Sequence, residues 1–251
     1  MNLLILQESD AIEPGLYRLT DVRGEHIRSV LKLSVGDKLL VGLVGRGSGE
    51  GSVTRIDKGC VELTVEALIP VTEIRPVVDI ICALPRPQTV KKLLFIAGMT
   101  GVRRLNFIRA NRVEKSYFHS PLLTEERWTK HLLEGMSQGK MVRLPSVSIH
   151  SKFLPFLHDE LPGMEQVESD KPVKLLAHPE AGKNLSSVAG QLDSRYIVAI
   201  GPEGGFVDFE VTEFEKSGFA CFTLGRHLLR VEHALTGFLA QLELLQSDGN
   251  S

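Results

Sequence analysis

Residues 196–206 read YIVAIGPEGGF. An uninterrupted apolar run, 196–200, enters Gly201-Pro202-Glu203-Gly204-Gly205, and Asp208 then opens a helical pattern over 208–217. A run apolar at every position is the mark of a strand buried on both faces, as in parallel sheets covered by helices. Ligands of open α/β sheets bind beyond the carboxyl ends of strands, so the turn after Ile200 stands where a ligand would sit. Glycine removes the side chain where backbone must approach a ligand, and it permits positive φ. Three glycines, a proline and a glutamate in so short a turn exceed what a plain strand-to-helix loop requires.

The next motif downstream is LGRHLLRVEHA, residues 224–234. A strand over 219–224 is expected to end at Leu224. The chain then turns at Gly225, and a helix over 231–245 follows. The exposed main chain of such a turn can read an adenine edge, with Leu228 and Leu229 as an apolar wall. Arg230 and Glu232 flank the helix start, where a carboxylate gains from the helix dipole. Arg226 reads equally well as a surface ion-pair former. A further buried strand, 173–177, ends at His178 and points its carboxyl end toward the same pocket.

Around these motifs the pattern repeats. Strands are expected at 77–84 and 104–108, and helices at 88–99, 122–138 and 153–157. Strands alternating with helices imply an α/β domain with a mostly parallel sheet. Residues 1–70 differ. Short alternating runs at 3–6, 38–44, 51–56 and 61–68 suit antiparallel strands closing into a small β-barrel. A short helix is expected at 26–32 and a flexible hairpin tip at 45–51, where four glycines cluster. Residues 70–76 read as a linker, which gives domains at 1–72 and 73–251. The segments 164–171 and 247–251 are expected to be mobile.

Composition narrows the class. Three scattered cysteines in 251 residues argue against a disulfide scaffold or thiolate zinc site and suit a reducing compartment. No signal-peptide pattern and no membrane-length apolar run is present, so a cytoplasmic protein is expected. The chain also has no GxxxxGK[ST], no GxGxxG and no HExxH, which sets aside P-loop, dinucleotide and zinc-protease chemistry; no metal is expected. Net charge is −2, yet residues 86–152 hold 13 Lys+Arg against 4 Asp+Glu. Such concentrated positive charge suits a polyanion partner.

On IGPEGGF with Glu210 downstream, followed by LGRHLLRVEHA, the chain resembles the knotted SPOUT-class methyltransferases, most closely the ribosomal RNA small-subunit methyltransferase E family. The stretches HIRSVLKLSVGDKLLVG, KKLLFIAGMTGVRRLNFI and SQGKMVRLPSV extend the resemblance over nearly the whole chain. It implies a C-terminal SPOUT domain with a deep trefoil knot, threaded by residues from 219 to about 245, and an N-terminal PUA-like RNA-binding barrel. It also implies a homodimer with each cofactor pocket close to the partner subunit. The implied reaction is methylation of N3 of a uridine in 16S rRNA, free or in the assembled small subunit, using S-adenosylmethionine. The implied cofactor residues are Leu176, Ala177, His178, Ile200, Gly201, Pro202, Glu203, Gly204, Gly205, Leu224, Gly225, Leu228, Leu229, Arg230, Glu232 and Ala234. The chain departs from the family at Met99-Thr100-Gly101, where relatives carry Glu-Leu-Gly. It departs again at Met141 before Arg143, where many have two arginines, and at Lys32, where the barrel has arginine.

Arg230 is the candidate for stabilising negative charge on the base, with Glu203 and Glu232 as candidate carboxylates. Arg23, Arg28, Lys32, Lys91, Lys92, Arg103, Arg104, Arg109, Arg112 and Arg143 are the candidate RNA contacts. Alternatives are a knotted methyltransferase acting elsewhere on RNA, a non-catalytic RNA-binding ribosome-assembly factor, and, more remotely, a nucleotide-utilising enzyme.

Overall fold

The computed structural model describes residues 2–72, 75–166, 171–190 and 194–249. Residues 73–74 of the expected linker, and 167–170 and 250–251 of the stretches expected to be mobile, lie outside the described residues.

Among the described residues the strands form two sheets. The N-terminal one is built from β1 (Leu4–Leu6), β2 (Ala11–Glu13), β3 (Leu16–Leu19), β4 (Lys38–Leu43), β5 (Gly47–Asp57), β6 (Cys60–Val65) and β7 (Ile69–Pro70). Its order is β1-β4-β5-β6-β3-β2, with β7 also on β5. In β6 the period of two is plain: Val61, Leu63 and Val65 are buried and meet Leu19, Val41 and Val53 in one core. Helix α1 (Val22–His26) starts at Asp21, whose side chain accepts from the Arg23 N–H at 2.9 Å. One π-helical turn, Ile27–Leu31, carries it on to Lys32 at φ +53°, so the helix begins earlier than expected.

The expected tip at 45–51 is corrected. The turn occupies only 44–46, and Gly47, Gly49 and Gly51 belong to β5. A Cβ on Gly47 would stand 2.1 Å from the Ile69 carbonyl oxygen, and one on Gly49 2.2 Å from that of Ala67. These glycines let the returning segment lie directly on the strand; they do not loosen it.

The second sheet contains β8 (Val78–Ala83), β9 (Arg104–Ile108), β10 (Ser146–His150), β11 (Val173–Ala177), β12 (Tyr196–Ile200) and β13 (Ala220–Phe222). Their order is β10-β9-β8-β12-β11-β13, and every described pairing is parallel. Helices α2 (Pro87–Thr100), α3 (Glu125–Gly139), α4 (Phe153–Pro155), α5 (Leu161–Glu165), α6 (Asp208–Lys216) and α7 (Val231–Gly249) accompany it. The expected α/β class and parallel sheet are therefore present. Every residue of β8 and β12 is buried.

Asp79, fully buried on central β8, is the exception in this apolar sheet. Arg103 reaches it through Nε at 2.9 Å and Nη2 at 2.6 Å, and Arg195 through Nη2 at 3.3 Å. A buried carboxylate is tolerated only when paired and hydrogen-bonded. Both guanidiniums stand at the entries of neighbouring strands, so the charge ties β9, β8 and β12 together at one end.

Helices α2 and α3 touch backbone to backbone. A Cβ on Gly98 would lie 2.2 Å from the Leu132 carbonyl oxygen, on Gly135 2.0 Å from that of Phe95, and on Gly139 1.9 Å from that of Met99. On its other side α3 seats the N-terminal sheet. Leu3, Ile5 and Met136 form a small core there, and Leu3 N–H donates to the Ser137 carbonyl at 3.0 Å. Gly135→Ala is expected to cost about 1–3 kcal/mol by overpacking. That lowers the melting temperature by roughly 2–4 °C per kcal/mol in a chain of this size, measurable by calorimetry. An unchanged melting temperature would refute the contact.

Candidate active site

Strands β8, β11, β12 and β13 run in one direction, so the loops after Ala83, Ala177, Ile200 and Phe222 open on one edge. The turn after β12 is shaped by its own sequence. Gly205 sits at φ +73°, a conformation other residues rarely adopt, and its N–H donates to the Pro202 carbonyl at 2.8 Å. Pro202 and Phe206 face inward, while Glu203 and Gly204 are exposed. The Phe206 ring packs on Phe214 of α6 at 5.1 Å between centroids.

Two neighbours hold this turn. Glu210, only 3% exposed, accepts from the Asn111 N–H at 2.6 Å and from the Val207 N–H at 3.0 Å. The second bond is the reciprocal half of a capping box. Arg112 donates from Nη1 to the Gly204 carbonyl. Glu203 turns the other way, where its carboxylate accepts from the Arg86 N–H at 3.2 Å, just before α2. With burial, the Glu203 charge also pushes the Cys82 thiol up.

The second turn is anchored against the loop after β11. His178 N–H donates to the Phe222 carbonyl at 2.9 Å and Thr223 N–H to the Lys183 carbonyl at 2.8 Å. Gln241 of α7 donates to the Leu224 carbonyl at 3.0 Å. Beyond this point the chain is open. No atom lies within 4 Å of where a Cβ would stand on Gly225, and Leu228 is 84% exposed with Leu229 and Arg230 also at the surface.

Of the expected site residues, Leu176, Ala177 and His178 lie beside the start of the second turn, and 200–205 form the first. Ala234 is buried in the first turn of α7. Glu232 behaves differently: it is 5% exposed and its Oε1 accepts from Lys92 Nζ at 2.8 Å. Burial alone would raise its pKa, but the Lys92 ammonium and a backbone N–H hold it below the usual carboxylate range. A carboxylate so held is a weak proton acceptor and bonds α7 to α2.

The expected RNA contacts divide in the same way. Arg23 forks onto Asp10 and Asp21, Arg28 bonds Glu25 and the Asp57 carbonyl, and Arg103 bonds Asp79. Lys92 and Arg112 are engaged with Glu232 and Gly204. Lys32, Lys91, Arg104 and Arg109 form no ion pair among the described residues. Arg143 lines a cleft of about 220 Å³ with Arg103 and Lys140 where the two sheets meet. Sequence reasoning left Arg86 and Glu210 out of the site. The Glu at N3 after Val207 was the available signal for Glu210; the Arg86 contact is made by its backbone and left none.

The sign of the Glu232 shift gives a pH test. A depressed carboxyl pKa stabilises the fold above the ordinary carboxylate range, and that stabilisation is lost as pH falls through the folded-state value. Lys92 is more than half exposed, so screening limits the pair to about 1 kcal/mol. Glu232→Gln should therefore melt below wild type at neutral pH, with the gap closing in acid. A gap that persists at low pH would contradict the pairing.

A family model described as an RNA methyltransferase domain matches residues 72–243. The chain is 26% identical over 236 residues to ribosomal RNA small subunit methyltransferase E 1 of Borreliella burgdorferi, covering 93% of this chain and 94% of that one. It is 25% identical over 250 residues to the Bacillus subtilis methyltransferase E, covering 94% of each. Its fold is similar to that of the Neisseria gonorrhoeae methyltransferase E solved with S-adenosyl methionine, at a TM-score of 0.75, 17% identity, and 97% and 98% coverage. The chain thus belongs to the RNA methyltransferase domain family, with the ribosomal RNA small subunit methyltransferases E.

Proposed function

We propose that this protein transfers a methyl group from S-adenosylmethionine to N3 of a uridine in 16S ribosomal RNA. The observation that carries the reading is the pair of glycine turns on one edge of a parallel sheet, inside the segment that matches RNA methyltransferase domains. The residues present fit the cofactor. Gly205 and Gly225 leave main chain approachable, and the exposed Leu228 and Leu229 offer apolar surface of the kind a nucleoside buries. When bound, the cofactor supplies an electrophilic methyl on a sulfonium.

The rest is the work of the chain. N3 of uracil is an imide nitrogen, protonated at neutral pH, so its lone pair must be freed and aimed. Positioning in the turns supplies part of the rate. Arg230, exposed just before α7, stabilises the charge that spreads onto the carbonyl oxygens. Glu203, exposed at the mouth, is the carboxylate placed to accept the proton, since Glu232 is committed to Lys92.

The finer architecture belongs to the same reading. The grip of residues 178–183 on Phe222 and Thr223 supports a trefoil knot in which the last strand and α7 pass through an earlier loop. The separate cores around Val41 and around Ile81 support a PUA-like barrel at 1–72 and a SPOUT domain at 73–251. The exposed Leu228 and Leu229 suit a homodimer in which a second copy closes the pocket. The protein acts in the cytoplasm, where ribosomes are; no described helix is long and apolar enough to cross a membrane.

Mass-spectrometric mapping of rRNA from a strain lacking the protein should show loss of one N3-methyluridine, restored by complementation. Unchanged rRNA would remove the assignment. In vitro, Glu203→Gln and Arg230→Ala should each slow transfer by at least about tenfold, the scale of one lost acid–base or electrostatic contribution, with the fold intact. Near-wild-type rates in both would sink these roles.

A further inference from the structure

We infer that a second pocket, beside the methyl-transfer edge, binds an RNA nucleotide flanking the target, with its base stacked on Phe209 and its phosphate held by Arg109 and Lys152. The inference rests on the methyltransferase reading for the identity of the polymer, and on the pocket for everything else.

The cavity holds about 390 Å³ between the loops after β9 and β10 and the first turn of α6. The side chains that matter are Arg109, Asn111, Lys152, Phe153, Phe209 and Glu210. Phe153 forms a fixed apolar wall, edge-on to Phe214 at 5.4 Å. Phe209 is the opposite case. It is 55% exposed and stacks on no other described ring, so one face is left to the pocket. Single-stranded nucleic acid is held by such aromatic faces combined with cations on the backbone, because every base has a π-face and every linkage a charge.

The cations are in place and uncommitted. Neither Arg109 nor Lys152 forms an ion pair among the described residues. Arg109 is positioned by its own N–H, which donates to the His150 carbonyl at 2.9 Å. Glu210 is the one carboxylate in the lining, and both its oxygens are taken by the Asn111 and Val207 N–H groups. The Asn111 side chain makes no hydrogen bond among the described residues and is exposed, leaving an amide for a base edge. The pocket is joined to the active turn through the 109–112 segment: Asn111 meets Glu210, and Arg112 meets Gly204. A strand of RNA entering the edge would pass this pocket immediately beside the transfer site.

The test uses the full chain, a fluorescein-labelled single-stranded RNA carrying the rRNA target sequence, and S-adenosylmethionine as a separate ligand. Phe209→Ala and Phe209→Leu should each weaken RNA binding by at least about fivefold, the loss expected for one stacked base, while Phe209→Trp retains it. Arg109→Ala and Lys152→Ala should each weaken binding and lower the slope of log Kd against log salt by about one. Calorimetric affinity for S-adenosylmethionine should be unchanged throughout. The pocket is overturned if Phe209→Ala and Lys152→Ala bind RNA like wild type, if tryptophan fails as alanine does, or if RNA affinity falls only together with cofactor affinity. The two readings fail separately. Active methyl transfer with unaltered RNA binding in the variants removes the pocket alone; Phe209-dependent RNA binding without any methyl transfer removes the function alone.

Discussion

A single carboxylate sets the frame for the C-terminal half of the molecule. Asp79 lies with no solvent exposure on the central strand β8 of the parallel sheet, and Arg103 and Arg195 make that tenable. Removing one partner of a buried pair costs about 3–5 kcal/mol, a large share of the 5–15 kcal/mol that typical domains possess. A slipped register would carry Asp79 away from both guanidiniums, so the charge penalises misalignment of β9, β8 and β12. Aligned strands end together, and loops that end together can share a ligand.

The candidate active edge is then trimmed by contacts between segments far apart in the chain. Glu210 binds the loop after β9 to the start of α6, and Arg112 reaches the Gly204 carbonyl. On the opposite flank Glu203 touches the residue before α2, and Lys92 of α2 holds Glu232 of α7. Helix α2 thus connects both turns, through the main chain just before it at one and through the Lys92 side chain at the other. This division of labour explains why some cations in the basic middle segment are structural while others face solvent.

Much of the fold was legible in the parallel sheet, where strands carry mostly apolar residues. The strands 104–108, 173–177 and 196–200 occur with the bounds read from their apolar runs. Edge strand β10, SVSIH, was missed because only one side is covered and its residues are half polar. β2, three exposed residues, and β3, LYRL, were also missed. Glycines in β5 read as a loop because their reason is a neighbouring backbone at Ala67 and Ile69, and that packing has no local signature. The two turns of the site were legible as motifs, since glycine spacing is a local property. The pairing of Glu232 with Lys92 was not, because the partners lie 140 residues apart.

The seam between α2 and α3 has one more consequence. Carbonyl oxygens stand where glycine side chains are missing, and α3 carries the N-terminal sheet through Leu3 and Ser137. The N-terminal sheet, α3, α2 and the Glu203 turn are therefore linked by an unbroken series of contacts. The distance between the N-terminal sheet and that turn is set by the contact of α2 with α3. A polymer lying across both the N-terminal sheet and the glycine turns would meet them at a spacing set by that helix contact.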